Sequence, residues 1–488
     1  MLEEHFRKFR KGIIGLNQTF ESPYGEQKII YTDWTASGRM YQPIEEILNQ
    51  KVYPFVANTH TETTQTGSGM TVAYHKAQQI IKNHVNASTK EVIISCDSGM
   101  TGAINKFQRI LGFRIHEKYK NSITISENER PIVFVTHMEH HSNQTSWLET
   151  IAQVEVINPN ADGLVDLNHL EQLLDKYKNR TTKIAAVTSC SNVTGIFTPY
   201  HKIAAIMHNN GGYCFVDFAC SAPYINIDMN PKNSEEKLDA IYFSPHKFLG
   251  GPGSSGVLIF DSKLYSNKIP DHPGGGTVEW TNPWGEHEYV SNIEAREDGG
   301  TPGFLQVIRT ALCIQLKEKM GVEKMMSREH ELIEMIWSKL AKISNLHILA
   351  ENIKERLSIV SFYIDDLHYN LAVKLLNDKF GIQTRGGCSC AGTYGHYLLH
   401  VDKENSKSIT SSISCGILDK KPGWVRLSLH PTTTNFELNY VLDAIENLCI
   451  KHKEWGKEYT YNTKTNEYSH TQENKDLFYN EVKSWFKL

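Results

Sequence analysis

The chain has 488 residues, enough for about three domains or one large enzyme fold that buries its core without staples. Its residues are 40% hydrophobic and 22% charged, and 51 basic against 55 acidic side chains leave a net charge of −4. There is no basic excess to steer the chain to nucleic acid or anionic lipid. Nine cysteines without a C-x-x-C pair argue against a disulfide framework or a zinc ribbon. The start has no apolar signal region and no apolar run approaches about 18 residues, so neither export nor a membrane span is expected. The expectation is a reduced, cytoplasmic enzyme with no metal site.

Short β-branched runs alternate with amphipathic stretches from about residue 90 to 260. They predict strands at Glu91–Ser95, Ile132–Thr136, Gln153–Ile157, Ile184–Thr188, Tyr213–Asp217, Ala240–Phe243 and Val257–Phe260. Several are apolar throughout, as when helices cover both faces of a mostly parallel sheet. Between them Ile104, Phe107 and Leu111 keep helical spacing, as do Leu167, Leu170 and Leu174. The pattern is α/β, a three-layer domain with its site at the carboxyl ends of strands. Beyond residue 300 one long charged helix is predicted over Gln306–Ile336, followed by a smaller α+β region. The expected organisation is an arm (1–30) belonging to the small domain, a large domain (31–305), a small domain (306–449) and a helical extension (450–488).

Gly251, Gly253 and Gly256 match G-x-G-x-x-G, but they precede a strand instead of following one, the wrong order for a dinucleotide turn. The segment YFSPHKFLGGP (Tyr242–Pro252) is more informative. Lys247 follows a strand there, beside Ser244 and His246, and Asp217 closes the strand YCFVD thirty positions earlier. A lysine amine can form a Schiff base with a carbonyl cofactor, and a strand-end carboxylate can keep a pyridine nitrogen protonated. A phosphate cradle is then required at a helix start. SGMTGAIN (Ser98–Asn105) offers one through Gly99, Met100 and Thr101. Singly, these are a solvated lysine, a capping aspartate and a turn. Together they point to pyridoxal 5′-phosphate.

Other residues extend the set. His140 and His141 follow the strand IVFVT, where an imidazole can stack on a ring and move a proton. Arg426 offers a planar fork for an α-carboxylate, although a lone arginine also suits a surface ion pair. Cys390 lies between Gly386-Gly387 and Ala391-Gly392, with Arg385 near enough in sequence to favour its thiolate. A reactive thiol and a buried, inert one both remain open.

These segments, in this order from about Tyr31 to Leu448, resemble the pyridoxal-phosphate enzymes of aminotransferase class V. Within them, the chain is similar to the cysteine desulfurase and selenocysteine lyase group. YTDWTAS (Tyr31–Ser37) resembles the segment whose alanine, Ala36, borders the substrate, and ANTH (Ala57–His60) a mouth segment ending in His60. MEHHSNQTSW (Met138–Trp147) resembles the motif whose first histidine, His140, stacks on the cofactor. TSCSNVTG (Thr188–Gly195) carries Asn192, matching an asparagine near the ring hydroxyl. VDFAC carries Asp217 as the pyridinium partner, and SPHK carries Lys247, with Ser244 and His246 on the phosphate. GGTPG (Gly299–Gly303) resembles a loop whose Gly300 and Thr301 reach the phosphate of a second subunit. RGGCSCAG (Arg385–Gly392) resembles the loop of the persulfide-forming cysteine, which falls on Cys390, and GWVRLSL (Gly423–Leu429) places Arg426 as the carboxylate clamp.

The resemblance implies a fold-type I enzyme and a homodimer with shared active sites. It implies an amino-acid substrate and a sulfur-acceptor protein, with neither nucleic acid nor membrane as partner. The expected reaction removes sulfur from L-cysteine, or selenium from selenocysteine, giving alanine and an enzyme persulfide. An aminotransferase, β-lyase or epimerase is the alternative. Two departures bear on it: Cys220 stands where the resemblance implies a glutamine, and 35 residues separate Cys390 from Arg426. Cys388 adds a second thiol two residues from Cys390.

Overall fold

The structure is a computed structural model that describes residues 2–59, 62–419, 421–473 and 475–487. All seven predicted strands form: β1 (Glu91–Cys96), β2 (Ile132–Thr136), β3 (Gln153–Ile157), β4 (Lys183–Thr188), β5 (Tyr213–Asp217), β6 (Ala240–Phe243) and β7 (Gly256–Asp261). They join one sheet in the order β1-β7-β6-β5-β4-β2-β3. Pairing is parallel from β6 to β3, and β7 runs antiparallel to both β6 and β1. The reason lies in the connection. No long helix separates β6 from β7, and parallel neighbours need a crossover.

The strands are apolar on both faces because both faces are covered. Ile93, Phe134, Val187 and Val216 enter one core, and their neighbours Val92, Val133, Ala186 and Phe215 enter the other. The result is the expected three-layer α/β architecture. A second sheet has the order β8-β9-β11-β10, all antiparallel, from β8 (Leu346–Ile348), β9 (Ile359–Ile364), β10 (Arg385–Gly387) and β11 (Trp424–Ser428). Its own core holds Leu332, Phe362, Leu376, Leu427 and Leu442.

Two expectations fail on local chemistry. The single helix over Gln306–Ile336 is two helices, Phe304–Met320 and Val322–Leu340, broken at Gly321. Gly321 has φ +84°, a backbone state that glycine adopts freely and a side chain resists. The extension after residue 450 is not wholly helical. The helix Asn435–Trp455 ends there, and the antiparallel strands Tyr459–Asn462 and Glu467–His470 follow before a last helix, Lys475–Ser484. Alternating Tyr459, Tyr461, Tyr468 and His470 side chains suit a ribbon, and Asn466 at φ +59° turns it.

The chain near residue 30 couples the two sheets. Ile30–Tyr31 pairs in parallel with Ile382–Gln383, and Asp33 bridges to Ser428. The YTDWTAS segment is thereby joined to β11, and the Gly38 N–H just after it donates to the His246 carbonyl at 2.9 Å, at the carboxyl edge of the large sheet. Among the described residues, no helix is long and apolar enough to cross a membrane.

Candidate active site

A cavity of about 210 Å³ opens where the carboxyl ends of the large sheet face β10 and β11. Asp217 ends β5, Lys247 follows β6, His140 follows β2, and the helix Gly99–Ile110 follows β1. Each functional group thus sits where a strand stops and its backbone no longer needs a partner.

Lys247 lines the cavity in the short turn Pro245–Lys247, its ammonium disfavoured chiefly by desolvation, so its pKa falls below the ordinary value. Asp217 is 3% exposed; its Oδ1 accepts the Ala219 N–H at 2.8 Å. Burial nevertheless pushes its pKa up to about 6, with that hydrogen bond and Lys247 opposing. It is a buried carboxylate short of positive charge.

At the start of the helix Gly99–Ile110 the Met100 N–H donates to Ser244 Oγ at 2.8 Å. Thr101 and Ser142 hydroxyls lie 2.7 Å apart beside it. Gly256 permits this packing: a Cβ there would stand 2.1 Å from the Gly99 carbonyl oxygen. His246 nearby is kept neutral, its pKa lowered to about 4 mainly by burial. Free helix N–H groups, hydroxyls and an imidazole form a donor set suited to an anion.

His140 caps the helix His141–Leu148: its Nδ1 accepts the Ser142 N–H at 3.1 Å, leaving the ring proton on Nε2. Desolvation first, then the cations Lys247, Arg385 and Arg426, lower its pKa to about 3. It is a neutral ring at physiological pH. Below it lies Glu139, 1% exposed. Glu139 Oε1 accepts from Thr136 Oγ1 (2.6 Å) and the Thr188 N–H (2.8 Å), and Oε2 accepts from Asn143 Nδ2 (2.7 Å). This carboxylate ties the ends of β2 and β4 to the helix that His140 caps.

The opposite wall is cationic. Arg385 and Arg426 are direct cross-strand partners between β10 and β11. Like charges so placed repel unless an anion joins them. Arg426 is 2% exposed; its Nη2 donates to Asp33 Oδ1 at 2.6 Å and its Nη1 to the Asn192 carbonyl at 3.1 Å. Two polar atoms, Arg426 Nε and Asn192 Oδ1, are buried without a partner. Arg385 Nη2 lies 4.0 Å from Cys390 Sγ.

The Cys390 loop is strained and pinned. Ser389 and Cys390 have φ +51° and +57°, a left-handed state that costs about 1–3 kcal/mol per non-glycine residue. The loop is held on both carbonyls: Asn192 Nδ2 donates to Ser389 O (2.7 Å) and the His141 N–H to Cys390 O (2.8 Å). The Gly392 N–H then donates to His141 Nε2 at 2.9 Å.

Residues 30–441 match the aminotransferase class-V family. The chain belongs to that family. Proteins described as probable cysteine desulfurases are similar to it: that of Halalkalibacterium halodurans is 28% identical, over 74% of this chain and 84% of its own. That of Staphylococcus epidermidis is 28% identical over 78% and 87%. Among solved structures, a cysteine desulfurase of Thermococcus onnurineus NA1 superposes with a TM-score of 0.72 at 22% identity, covering 91% of this chain and 98% of its own. The cysteine desulfurase CsdA of Escherichia coli gives 0.69 at 21% identity over the same shares. These likenesses give the fold-type I architecture.

In this class-V chain one cavity gathers most of the residues singled out from sequence. Ala36, Met100, Thr101, His140, Asn192, Asp217, Cys220, Ser244, His246, Lys247, Arg385 and Arg426 all line it. Gly99 backs Ser244; Cys390 is not among the lining residues, although its neighbour Ser389 is, and its Sγ lies 4.0 Å from Arg385. Cys220 donates to the Ser191 carbonyl at 3.7 Å, as does Cys190. Gly300 and Thr301 are not among the lining residues; Gly300 N–H donates to Gly275 O at 2.9 Å instead. His60 lies outside the described residues. Sequence reasoning missed Asp33, Ser142 and Glu139. All three stand inside the segments YTDWTAS and MEHHSNQTSW, so the available signal was a polar side chain within a segment already assigned to the site.

Proposed function

We propose that the chain is a pyridoxal-phosphate-dependent cysteine desulfurase, taking sulfur from L-cysteine, or selenium from selenocysteine, and leaving alanine with a persulfide on Cys390. The observation that carries this reading is the facing of two sets across one cavity. Lys247 and Asp217 line it from the large sheet and the Arg385–Arg426 pair from the second, with Cys390 Sγ 4.0 Å from Arg385.

The residues fit the cofactor. Asp217 is a buried carboxylate lacking the cation that a pyridinium would supply. The start of the helix Gly99–Ile110, with Ser244 and His246, would hold the phosphate, and Lys247 would hold the carbonyl carbon. When bound, the cofactor supplies an electron sink for charge developing on the substrate Cα. Arg426 binds the substrate carboxylate, with Asp33 as the anion it releases. Lys247 Nζ, made less basic by desolvation, takes the Cα proton. His140, neutral and protonated on Nε2, donates or receives a proton without adding charge beside Lys247. Cys390 Sγ, 4.0 Å from Arg385 Nη2, attacks the substrate sulfur as its thiolate; an S–S bond forms as the C–S bond breaks, and the electron pair of that bond stays on the substrate carbon.

The active form is proposed as a homodimer, supported by the position of Gly300 and Thr301 outside their own protomer's cavity. Nine free cysteines support a reducing, cytoplasmic setting. The test is product analysis with L-cysteine. Alanine and a persulfide on Cys390 are expected, with loss of cofactor absorption in Lys247→Ala. Equal alanine release by Cys390→Ala refutes the persulfide role, and keto acid without alanine refutes desulfuration.

A further inference from the structure

Cys388, Ser389, Cys390 and Ala391 form one tight turn. The Ala391 N–H donates to the Cys388 carbonyl at 3.0 Å, and both central residues have positive φ. This is the pattern of a type I′ turn, normally built from Asn and Gly. Here Ser and Cys occupy its centre, and the surrounding hydrogen bonds to Ser389 O and Cys390 O hold them there. The turn has a chemical consequence. Two Cα–Cα steps of about 3.8 Å, folded this sharply, bring residues two apart to roughly 5.5 Å. That lies inside the Cα separation a disulfide spans. Both thiols are free, and neither is fully buried.

From this geometry we infer that Cys388 is the resolving thiol of Cys390, so that the enzyme discharges its own sulfur as sulfide. This rests on the persulfide reading above. The Cys388 thiolate attacks Sγ of the Cys390 persulfide. A Cys388–Cys390 disulfide forms, the bond between Sγ and the outer sulfur breaks, and its electron pair leaves with the outer sulfur as hydrosulfide. The hydrosulfide takes up the proton lost by Cys388. No oxidant is consumed, because the sulfane sulfur is the electron acceptor. An external dithiol then reduces the disulfide by exchange and resets the turn. A strained pinned turn suits this cycle, because it holds the two cysteines two residues apart in one fixed turn beside Arg385. Sulfur thereby leaves as a small molecule without a docked acceptor protein.

The experiment is one anaerobic turnover of the cofactor-loaded, pre-reduced enzyme with L-cysteine and no reductant. Alanine and sulfide are quantified, and the alkylated loop peptide is weighed. The wild type is expected to give one sulfide per alanine, with a loop about 2 Da lighter and closed to alkylation until dithiothreitol is added. Cys388→Ser is expected to hold a loop about 32 Da heavier and to release roughly tenfold less sulfide per alanine. Alanine with a persistent heavier loop in the wild type overturns the resolving role while leaving the desulfurase reading intact. Sulfide release by Cys388→Ser equal to wild type overturns it as well. Absence of alanine from the wild type removes the desulfurase reading and, with it, the resolving role.

Discussion

Asp217 is poised to reveal the cofactor requirement without any assay of activity. Its pKa rises from the ordinary 3.8 to about 6, and burial is the largest cause. At about 1.4 kcal/mol for each tenfold change, keeping it ionised in the folded, cofactor-free protein costs about 3 kcal/mol. The sign follows from the direction. The folded pKa lies above the unfolded one, so the penalty is complete above about pH 6 and is relieved as pH falls toward 3.8. Asp217→Asn removes the charge and keeps an oxygen to accept the Ala219 N–H. The variant, stripped of cofactor, is therefore expected to be about 2–3 kcal/mol more stable than stripped wild type at pH 8. That advantage should shrink to about half by pH 5. Urea denaturation at the two pH values measures it. Adding pyridoxal phosphate should reverse the order, because only wild type gains a carboxylate–pyridinium pair. A stripped Asp217→Asn protein less stable than wild type at pH 8 would refute the account of Asp217 as an uncompensated charge.

Arg426→Lys keeps the charge and loses the fork, so KM for L-cysteine should rise about 10–100-fold while kcat changes little, from a loss of about 1.5–3 kcal/mol; steady-state kinetics decide. Gly256→Ala puts a Cβ 2.1 Å from the Gly99 carbonyl oxygen, a backbone atom that must move. Cofactor affinity, followed by absorbance titration, should fall at least about tenfold, with a stability loss of about 1–3 kcal/mol. Glu139→Gln replaces an acceptor surrounded by donors with one that is half donor. Asn143 cannot flip to compensate, because its Oδ1 accepts from Tyr242 (2.8 Å) and its Nδ2 donates to Ala186 O (3.1 Å). Burial raises the Glu139 pKa to about 7 against its hydrogen bonds, so at pH 8 the lost charge offsets part of this cost. At pH 5, where that relief is mostly gone, the melting temperature should drop by the equivalent of about 1–3 kcal/mol, and an unchanged value there would show the network to be dispensable.

The large sheet was legible because its strands are apolar on both faces and bounded by turn residues. Such runs have few other places to go. The break at Gly321 was written in one residue, but the apolar spacing on both sides carried the helix prediction through it. The terminal hairpin was hidden for a related reason: its tyrosines and charges alternate too briefly to outweigh the helical texture of Asn435–Trp455 just before it.

In the site, Lys247 and Asp217 were readable because each closes or follows a strand in a motif that announces its chemistry, and one cavity brings them together. Asp33 and the Arg385–Arg426 register were not, because they depend on which strand lies beside which. β10 and β11 are adjacent in the sheet but separated in the chain by the helices Gly392–Leu398 and Lys403–Ser414. Only the pairing reveals that two arginines face each other and that Asp33 neutralises one of them. The same pairing gives the insertion a physical task. It carries the chain from a loop that must hold Cys390 in a strained turn back to a strand that must hold Arg426 in register. The loop's strain is met by hydrogen bonds from Asn192 and His141, residues of the large sheet's carboxyl edge, not by the insertion itself. The thiol is therefore positioned by the same edge that carries Lys247 and Asp217, while the arginines come from the second sheet. Asn192 joins the two: its Nδ2 donates to Ser389 O and its carbonyl accepts from Arg426 Nη1, so one residue of that edge sets both the thiol loop and the carboxylate clamp.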